Sequence, residues 1–373
     1  MESDQDFTIE EGVLLEYDGL DRDVVIPEGV KKIGEYAFLF PPRDFVDDDG
    51  FDEYEECHHC DCYCEPDWRG LELDPDCIEC DSFVKNTYLT SITIPGSVRM
   101  IDRYAFYGCA GLKSVVIPEG VTEIGEYAFG DCTGLQSVVI PKSIKTIYEG
   151  AFWGCTSLTN VTLLNSEVSV DFETFKDAPW LKNMGDFAVV NQILLQYNGD
   201  GGDVVIPAGV RSIIYYAFSD NKGLQSVTIP ESVTEIEDSV FRDCTGLKCV
   251  TIMGRGLKIS RSTFEDSRPI LVAPHIPIQN FVTEDKPGAC AGFSKLYQEK
   301  AELDEEIRAG YLKYIKDRKK ELYPLAVRHK ELLRLMLAEK MLSRKDVDIL
   351  LAECDNQNNA AAKAAVQDYI NTL

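Results

Sequence analysis

The chain has 373 residues, of which 45% are hydrophobic, and its 64 Asp and Glu residues outnumber its 37 Lys and Arg residues, giving a formal net charge of −27. This hydrophobic content is typical of a folded protein and excludes wholesale disorder. Because so acidic a chain is repelled by phosphate backbones and anionic lipids, we expect neither nucleic acid nor a membrane surface as a partner.

The sequence also bears on the subcellular location of the protein. No apolar run approaches the ~18 residues that a membrane-spanning helix needs, and the first residues show neither the basic nor the apolar part of a secretory signal. We therefore expect a cytoplasmic protein, in which the 13 cysteines are thiols or metal ligands. The alternative is a secreted or cell-surface protein.

Residues 1–40 are predicted to form a starter hairpin and a first half-repeat. Residues 7–38 match residues 187–218 at a constant offset of 180: D-V-V-I-P-E-G-V in the first stretch corresponds to D-V-V-I-P-A-G-V in the second. Each stretch indicates a hairpin that leads into a fresh run of repeats. We therefore expect two sub-arrays in series, roughly 7–186 and 187–280.

An acidic, cysteine-rich insertion, residues 41–85, interrupts the first repeat. It holds 16 Asp and Glu residues against 3 Lys and Arg residues. The spacing C-x2-C-x16-C-x2-C is typical of a structural zinc site with four thiolate ligands. The predicted zinc ligands are Cys57, Cys60, Cys77 and Cys80, and the spare ligands are His58, His59, Cys62 and Cys64.

Zinc is one of three interpretations of these cysteines. Disulfides would require export, and reduced or redox-sensing thiols are the third possibility. A closed site with four thiolates is structural, since it leaves no open position for water. Such a site would present the acidic loop 44–56 to a partner, whereas the alternative for that loop is a disordered, solubilising run of charges.

The repeats are clearest in residues 86–186. Three stretches, 96–118, 119–141 and 142–164, align without gaps, and the unit reads V-x-x-I-x-x-x-A-F-x-x-C-x-x-L-x-x-V-x-I-P. The L-x-x-V-x-I-P half predicts a short strand that ends at the proline. The V-x-x-I-x-x-x-A-F half has helix-like spacing and predicts the return path on the convex side. No repeat buries enough apolar surface to fold alone, so only stacked neighbours are stable.

Residues 187–280 continue the pattern as a second sub-array, and residues 281–373 lose it. The I-P…A-F-x-x-C-x-x-L unit closely resembles the BspA-like subclass of leucine-rich repeats over about residues 7–280. The resemblance implies a curved, right-handed solenoid with a parallel β-sheet on the concave face. It also implies a protein-binding role, since members of that family are usually adhesive or interaction proteins, often at cell surfaces.

The expected fold class is therefore a mixed α/β repeat protein. It consists of a leucine-rich-repeat solenoid with a Cys-rich insertion in the first repeat and an all-α C-terminal region. One outward column of the predicted sheet is a flat, uncharged candidate for partner binding. The alternative is a ladder of β-branched side chains that stabilises the stacked strands. The residues of this column that we expect to bind a partner are Thr93, Val116, Val139, Thr162, Thr228 and Thr251.

A second column predicts a structural role. Asparagine replaces cysteine there in some repeats, which indicates a small, buried, weakly polar position that bonds local backbone and forms no disulfide. Its members are Cys109, Cys132, Cys155, Cys244, Asn86 and Asn221.

Residues 281–373 have helical spacing. We expect helices over 301–319, from Pro324 to Leu342, after an N-cap at Ser343, and over 360–373. Residues 308–345 hold 12 Lys and Arg residues against 4 Asp and Glu residues. This basic segment is either a docking surface for an acidic partner or a solvated face of helices that seal the end of the solenoid.

No catalytic motif is recognisable in the sequence, and the one nucleophile–base pair that it suggests is Cys290 with His275. We therefore predict a non-catalytic protein–protein interaction scaffold. Its protein partner would bind the concave face, the acidic insertion or both. The alternative is an exported cell-surface adhesin with a disulfide-bonded insertion.

Elemental analysis of protein purified without added metal tests the assignment of Cys57, Cys60, Cys77 and Cys80. We expect about one or two zinc ions per chain. Removal of zinc should unfold the insertion, because ~45 residues with few apolar groups need a structural metal ion to fold. Thiol titration is the companion measurement. Zinc-free protein with oxidised insertion cysteines would contradict the zinc site and favour export.

Overall fold

Each repeat forms two short strands, which pair in parallel with the same strands of the neighbouring repeats. A computed structural model describes residues 6–39, 86–165, 168–171 and 173–371. The chain divides into two compact units, Met1–Asn183 and Met184–Leu373. The insertion, with the predicted zinc ligands, lies outside the described residues.

The described part of the first unit contains twelve strands and one short helix. They are β1 (Phe7–Glu10), β2 (Val13–Tyr17), β3 (Asp23–Val25), β4 (Lys32–Ile33), β5 (Ser91–Thr93), β6 (Met100–Ile101), β7 (Ser114–Val116), β8 (Glu123–Ile124), β9 (Ser137–Ile140), β10 (Thr146–Ile147), β11 (Asn160–Leu163), β12 (Ser169–Val170) and α1 (Pro179–Asn183).

Two sheets run along the first unit. The long-strand sheet has the order β11-β9-β7-β5-β3 and contains the predicted V-x-I-P strands. The short-strand sheet has the order β1-β2-β4-β6-β8-β10-β12. The hairpin β1–β2 is antiparallel. Strands β5, β7, β9 and β11 pair in parallel with residues 23 apart, as Val116 does with Val139. The expected leucine-rich-repeat solenoid is confirmed.

The predicted helix-like return path on the convex side is wrong. That half of the repeat forms a two-residue strand followed by a turn. Its amides bond the preceding repeat instead of their own: Gly125 N lies 2.8 Å from Ile101 O, and Thr122 N lies 2.8 Å from Arg99 O. Tyr127 then adopts a φ of +50°, which a right-handed helix does not accommodate.

The core of the first unit is a stack of phenylalanine rings, one from each repeat. We call it the phenylalanine ladder: Phe38, Phe106, Phe129, Phe152 and Phe175. Successive ring centroids are 4.7, 5.0, 5.2 and 5.3 Å apart, and all five residues are buried. Each ring face is covered by the ring of a neighbouring repeat, so no repeat completes its core alone.

The cysteine column closes the same core. Cys132 Sγ lies 3.1 Å from Phe106 O, so the thiol donates to the carbonyl of the preceding repeat, and the contact recurs at Cys155 and Cys244. The prediction of a buried position is confirmed for the four cysteines and Asn86, whereas Asn221 is half-buried. The expected local partner is wrong for these cysteines, although Asn86 Oδ1 does accept from nearby backbone N–H groups.

The described part of the second unit contains nine strands, a short 3₁₀ turn (Ile278–Asn280) and five helices. They are β13 (Phe187–Val190), β14 (Ile193–Tyr197), β15 (Gly202–Val205), β16 (Ser212–Ile213), β17 (Leu224–Ile229), β18 (Glu235–Ile236), β19 (Cys249–Ile252), β20 (Lys258–Ile259), β21 (Ile270–Val272), α2 (Lys286–Gln298), α3 (Glu305–Arg328), α4 (Lys330–Ala338), α5 (Arg344–Asn356) and α6 (Ala360–Ile370).

The second unit repeats the plan of the first. Its long-strand sheet has the order β15-β17-β19-β21, and its short-strand sheet has the order β13-β14-β16-β18-β20. The two starter hairpins share one register, since Phe7 pairs with Tyr17 and Phe187 pairs with Tyr197. An aromatic ladder again fills the core, with centroid spacings of 4.9, 5.1 and 5.6 Å along Tyr197, Phe218, Phe241 and Phe264.

Helix α2 covers the last strand of the second unit. It packs against β21 so closely that a Cβ atom on Gly292 would lie 2.0 Å from Leu271 O. Cys290 and Phe293 of the same helix are buried. The hydroxyl of Tyr311 on α3 donates to the carbonyl of Ile276 at 3.2 Å. The helices therefore seal the end of the second sub-array, as every solenoid end requires.

Pro324 does not begin a helix, so that expectation is wrong. It lies inside α3, whose helical geometry is interrupted earlier, at Arg318 (φ −109°, ψ 15°), and α4 begins after His329. Ile315 and Val327 on either side of the proline are both buried. Packing of this apolar face against the neighbouring helices therefore offsets the cost of an internal proline.

Asp346 joins α3 to α5. The predicted N-cap of α5 is confirmed, because the Ser343 N–H donates to Asp346 Oδ2 at 2.9 Å. Lys319 Nζ of α3 lies 2.6 Å from the same oxygen. Burial opposes ionisation of Asp346, but the hydrogen bonds from Lys319 and Ser343 outweigh it and lower the pKa of this carboxyl. The ion pair is therefore formed by an ionised, buried carboxylate.

Replacing Phe129 with alanine should destabilise the first unit by about 3–5 kcal/mol, because a buried ring is removed from between two others. Trp153 and Trp180 belong to this unit, so tryptophan fluorescence during urea unfolding reports on it. The control Val116→Ala, at an exposed position, should change the free energy of unfolding by less than about 0.5 kcal/mol. Equal effects of the two substitutions would contradict the role of the ladder.

Replacing Asp346 with asparagine should destabilise α5 by about 1–3 kcal/mol near neutral pH. Because the folded-state pKa of Asp346 is lowered, its contribution is present above the ordinary value of about 4 and is lost as the pH falls through the folded-state value. The variant should therefore lose less stability on acidification. Hydrogen exchange of α5 amides measures this, with Asp348→Asn on the exposed face of the same helix as the control. Identical acid profiles of Asp346→Asn and the wild type would refute it.

Candidate binding surfaces

The long-strand sheet of the first unit carries four of the six predicted binding residues. Thr93, Val116, Val139 and Thr162 pair directly across β5, β7, β9 and β11. Side chains alternate along a strand, so Val115 points into the core while its neighbour Val116 points outward. Val116 is 71% exposed and Val139 is 41% exposed, and both threonines are exposed.

The other two predicted residues lie in the second unit. Thr228 pairs with Thr251 across β17 and β19, and both are half-buried. Val205 precedes them on β15 and is 66% exposed. The predicted column thus consists of two separate strips, one on the long-strand sheet of each unit.

A column of small polar residues lies beside each strip. In the first unit the Ser91 hydroxyl donates to Asp23 Oδ1 at 2.6 Å. In the second unit the Ser226 hydroxyl donates to Asp203 Oδ1, also at 2.6 Å. Each strip is therefore a row of valine and threonine side chains, bordered at one place by a hydrogen-bonded serine–aspartate pair. Valine and threonine supply no acid, base or metal ligand, so this chemistry suits binding.

The predicted zinc ligands Cys57, Cys60, Cys77 and Cys80 lie outside the described residues. Within the described ranges, no group of three or more His, Cys, Asp and Glu side chains is arranged to hold a metal ion. Zinc binding by the insertion stays a prediction.

Burial makes the core cysteines poor nucleophiles. It raises the pKa of the Cys244 thiol to about 11 and that of Cys290 to about 12, and it also raises the pKa of Cys132. A nucleophilic cysteine needs an accessible thiolate near neutral pH. Cys290, the suggested partner of His275, is fully buried and does not meet that need.

The repeat pattern did not predict a third surface, which lies at the turn after each short strand of the first unit. We call it the aromatic ridge: Tyr36, Tyr104, Tyr107, Tyr127 and Trp153. All five residues are half-buried. Ring centroids are 5.2 Å apart between Tyr36 and Tyr104 and 5.4 Å apart between Tyr104 and Tyr127. Tyr107 and Trp153 pack edge-on against this stack.

The stacked tyrosines of the ridge have left-handed backbone. Their φ angles are +58° at Tyr36, +55° at Tyr104 and +50° at Tyr127, which is costly for a bulky side chain. Gly150 holds the same position one repeat later, where a Cβ atom would lie 2.3 Å from Cε1 of Tyr127. The feature of the sequence that could have predicted this stack is the tyrosine before the Ala-Phe pairs at 37–38, 105–106 and 128–129.

Comparison with known proteins identifies the repeats. The family model described as BspA type leucine rich repeat region matches six copies in residues 77–193 and 197–284, which is more than half of the chain. No curated protein matches the chain. Within the described residues, no helix is both long and apolar enough to cross a membrane.

Several solved structures are similar. A leucine rich cell surface protein from Faecalibacterium prausnitzii shares 18% identity at a TM-score of 0.31, over 71% of this chain and 92% of that chain. A leucine-rich repeat protein from Bacteroides ovatus shares 20% identity at a TM-score of 0.29, over 67% and 69% of the two chains. The leucine rich repeat protein of T. pallidum shares 27% identity at a TM-score of 0.27, over 48% and 74%.

Proposed function

The chain belongs to the BspA-type leucine-rich repeat family, and we propose that it is a non-catalytic protein-binding module that uses the outward strips of its long-strand sheets. The observation that carries this proposal is the exposure of large apolar side chains on a flat surface. Val25, Val116 and Val205 are 66%, 71% and 66% exposed.

Single exposed valines are ordinary on protein surfaces, but here they form a row. Neighbouring strands lie about 4.8 Å apart, so the methyl groups of Val25, Thr93, Val116 and Val139 make a continuous apolar stripe. Contiguous apolar surface of this kind marks interaction sites.

The absence of catalysis is part of the proposal. The strips contain only valine and threonine at their centres, and the core cysteines are held as buried thiols. Neither group supplies a nucleophile or a general base under physiological conditions.

Family membership favours the exported adhesin over the cytoplasmic scaffold as the setting for this binding. Proteins of this repeat family are usually adhesive or interaction proteins, often at cell surfaces. We therefore place the cell-surface role ahead of the cytoplasmic one. The thiol and zinc measurements on the insertion distinguish the two, because disulfides persist only in an oxidising compartment.

The strip is tested by the double substitution Val116→Lys and Val139→Asp. These residues pair directly across β7 and β9, so opposite charges there preserve the sheet while they interrupt the apolar row. The measurement is affinity capture from an extracellular-matrix extract, with captured proteins identified by mass spectrometry. We expect a partner that the wild type retains to be lost by the variant, by about tenfold or more.

Ile349→Asp is the matched control, because Ile349 is also an exposed apolar residue but lies on α5. It should retain the partner. A protein captured equally by the wild type, the strip variant and the control would show that the strip does not bind it.

A further inference from the structure

A column of charged residues borders the aromatic ridge. The short strands of the first unit pair in constant register, so the residues that follow them lie side by side in successive turns. In this column the order is Glu35, Arg103, Glu126 and Glu149. The charges therefore run negative, positive, negative, negative.

The first part of the column shows how the ridge holds a guanidinium group. Arg103 Nε lies 2.7 Å from Glu35 Oε1. The hydrogen bond that Arg103 donates to Glu35 raises the pKa of Arg103, and Glu126 on the other side contributes through its charge. Tyr36 and Tyr104, which follow Glu35 and Arg103 in the chain, stack on each other beside this ion pair. The ridge thus already holds one arginine, which is paired with a carboxylate and follows the stacked tyrosines along the surface.

The next two residues of the column, Glu126 and Glu149, are both acidic. Glu126 is exposed and forms no ion pair with any described residue. Glu149 accepts a hydrogen bond from the Tyr127 hydroxyl at 3.4 Å. Burial raises the pKa of Glu149 and the hydrogen bond from Tyr127 opposes that rise, while the charges of Glu126, Asp171 and Glu173 raise the pKa further. Glu126 and Glu149 hold the same position in neighbouring turns, where like charges repel each other. A cation at this place would relieve that repulsion.

The same place has the aromatic groups that favour arginine. Trp153 lies edge-on to Tyr127 with ring centroids 6.4 Å apart, and both residues are half-buried. Arginine stacks on the faces of tryptophan and tyrosine and pairs with carboxylates in a planar fork, and both kinds of group are present here.

We propose that the aromatic ridge at Tyr127 and Trp153, with Glu126 and Glu149 at its border, is the docking surface for an arginine-bearing segment of a partner protein. The guanidinium group donates to Glu126 and Glu149 as Arg103 donates to Glu35. The aliphatic part of the arginine lies along Trp153. This surface is separate from the strips of the long-strand sheet, so either site can fail without the other.

Arginine fits better than the other cations. A guanidinium group presents five N–H donors in a planar fork and can bridge two carboxylates, whereas an ammonium group acts as a point charge. Two carboxylates are too few ligands for a protein-bound calcium ion, which takes six to eight oxygens. The described residues contain no group arranged to hold a metal here.

Isothermal titration with a hexa-arginine peptide and with a hexa-lysine peptide tests the proposal on the full chain. We expect the arginine peptide to bind more tightly than the lysine peptide. The double substitution Glu126→Gln and Glu149→Gln should weaken binding of the arginine peptide by about tenfold or more, since charge-assisted hydrogen bonds are lost. Equal affinity for the two peptides would overturn the proposal.

The matched control removes two exposed carboxylates outside the ridge, through Glu28→Gln and Glu231→Gln. This variant has the same net charge as the ridge variant, so it measures the general attraction of an acidic chain for a basic peptide. Its affinity should change by less than about twofold. Equal losses in the two double variants would show that binding is diffuse and would refute the site.

A further variant, Glu126→Arg, supplies the cation from within the chain. It should reproduce the Arg103 arrangement with Glu149 as partner, leave the thermal unfolding midpoint of the first unit at or above the wild-type value, and abolish binding of the arginine peptide. A folded Glu126→Arg protein that binds this peptide as tightly as the wild type would disprove the proposal.

Discussion

The ring of each interior phenylalanine is buried only when the turns before and after it are in place. Spacings of 4.7–5.3 Å along the ladder of the first unit leave no room for water or for a larger residue between neighbouring rings. The other regular features follow from this requirement. The residue before each of these rings is a buried alanine or threonine, and the cysteine thiols bond the carbonyls of the preceding phenylalanines. The tyrosine or glycine before each Ala-Phe pair takes a left-handed backbone, so that the chain can turn the ring inward.

Much of this fold could be predicted because the ladder imposes a strict period on the sequence. The V-x-I-P strands, the buried cysteine column and the N-cap at Ser343 all depend on local patterns that one repeat or one helix terminus displays. The short-strand sheet could not be predicted in the same way. Its apolar residues are three apart, which also suits a helix, and the deciding fact is that Gly125 and Thr122 bond the neighbouring turn. Pro324 was misassigned for a related reason, since the packing of α3 against other helices offsets a local preference.

The candidate sites were predicted less completely than the fold. Alternation along a strand shows which side chains face outward, so the strip through Val116 and Val139 could be named in advance. The aromatic ridge depends on how neighbouring turns bring Tyr104, Tyr107 and Trp153 together, and these residues occupy two different columns of the repeat. The repeat pattern compares residues within one column, so it does not show contacts between side chains of different columns. The core requires residues of similar size and polarity in every turn, whereas surface positions can change their charge from turn to turn, as the change from Arg103 to Glu126 illustrates.

The close approach of α2 to β21 has a consequence for how such a protein changes length during evolution. Tandem duplication or deletion of one repeat in the middle of a sub-array leaves every turn with equivalent neighbours, because the register is the same throughout. The last turn is different, since Gly292 lies against the Leu271 carbonyl at a distance that admits no side chain. Unequal recombination can therefore lengthen or shorten the array freely, but the final strand and its covering helix must be inherited together as one module.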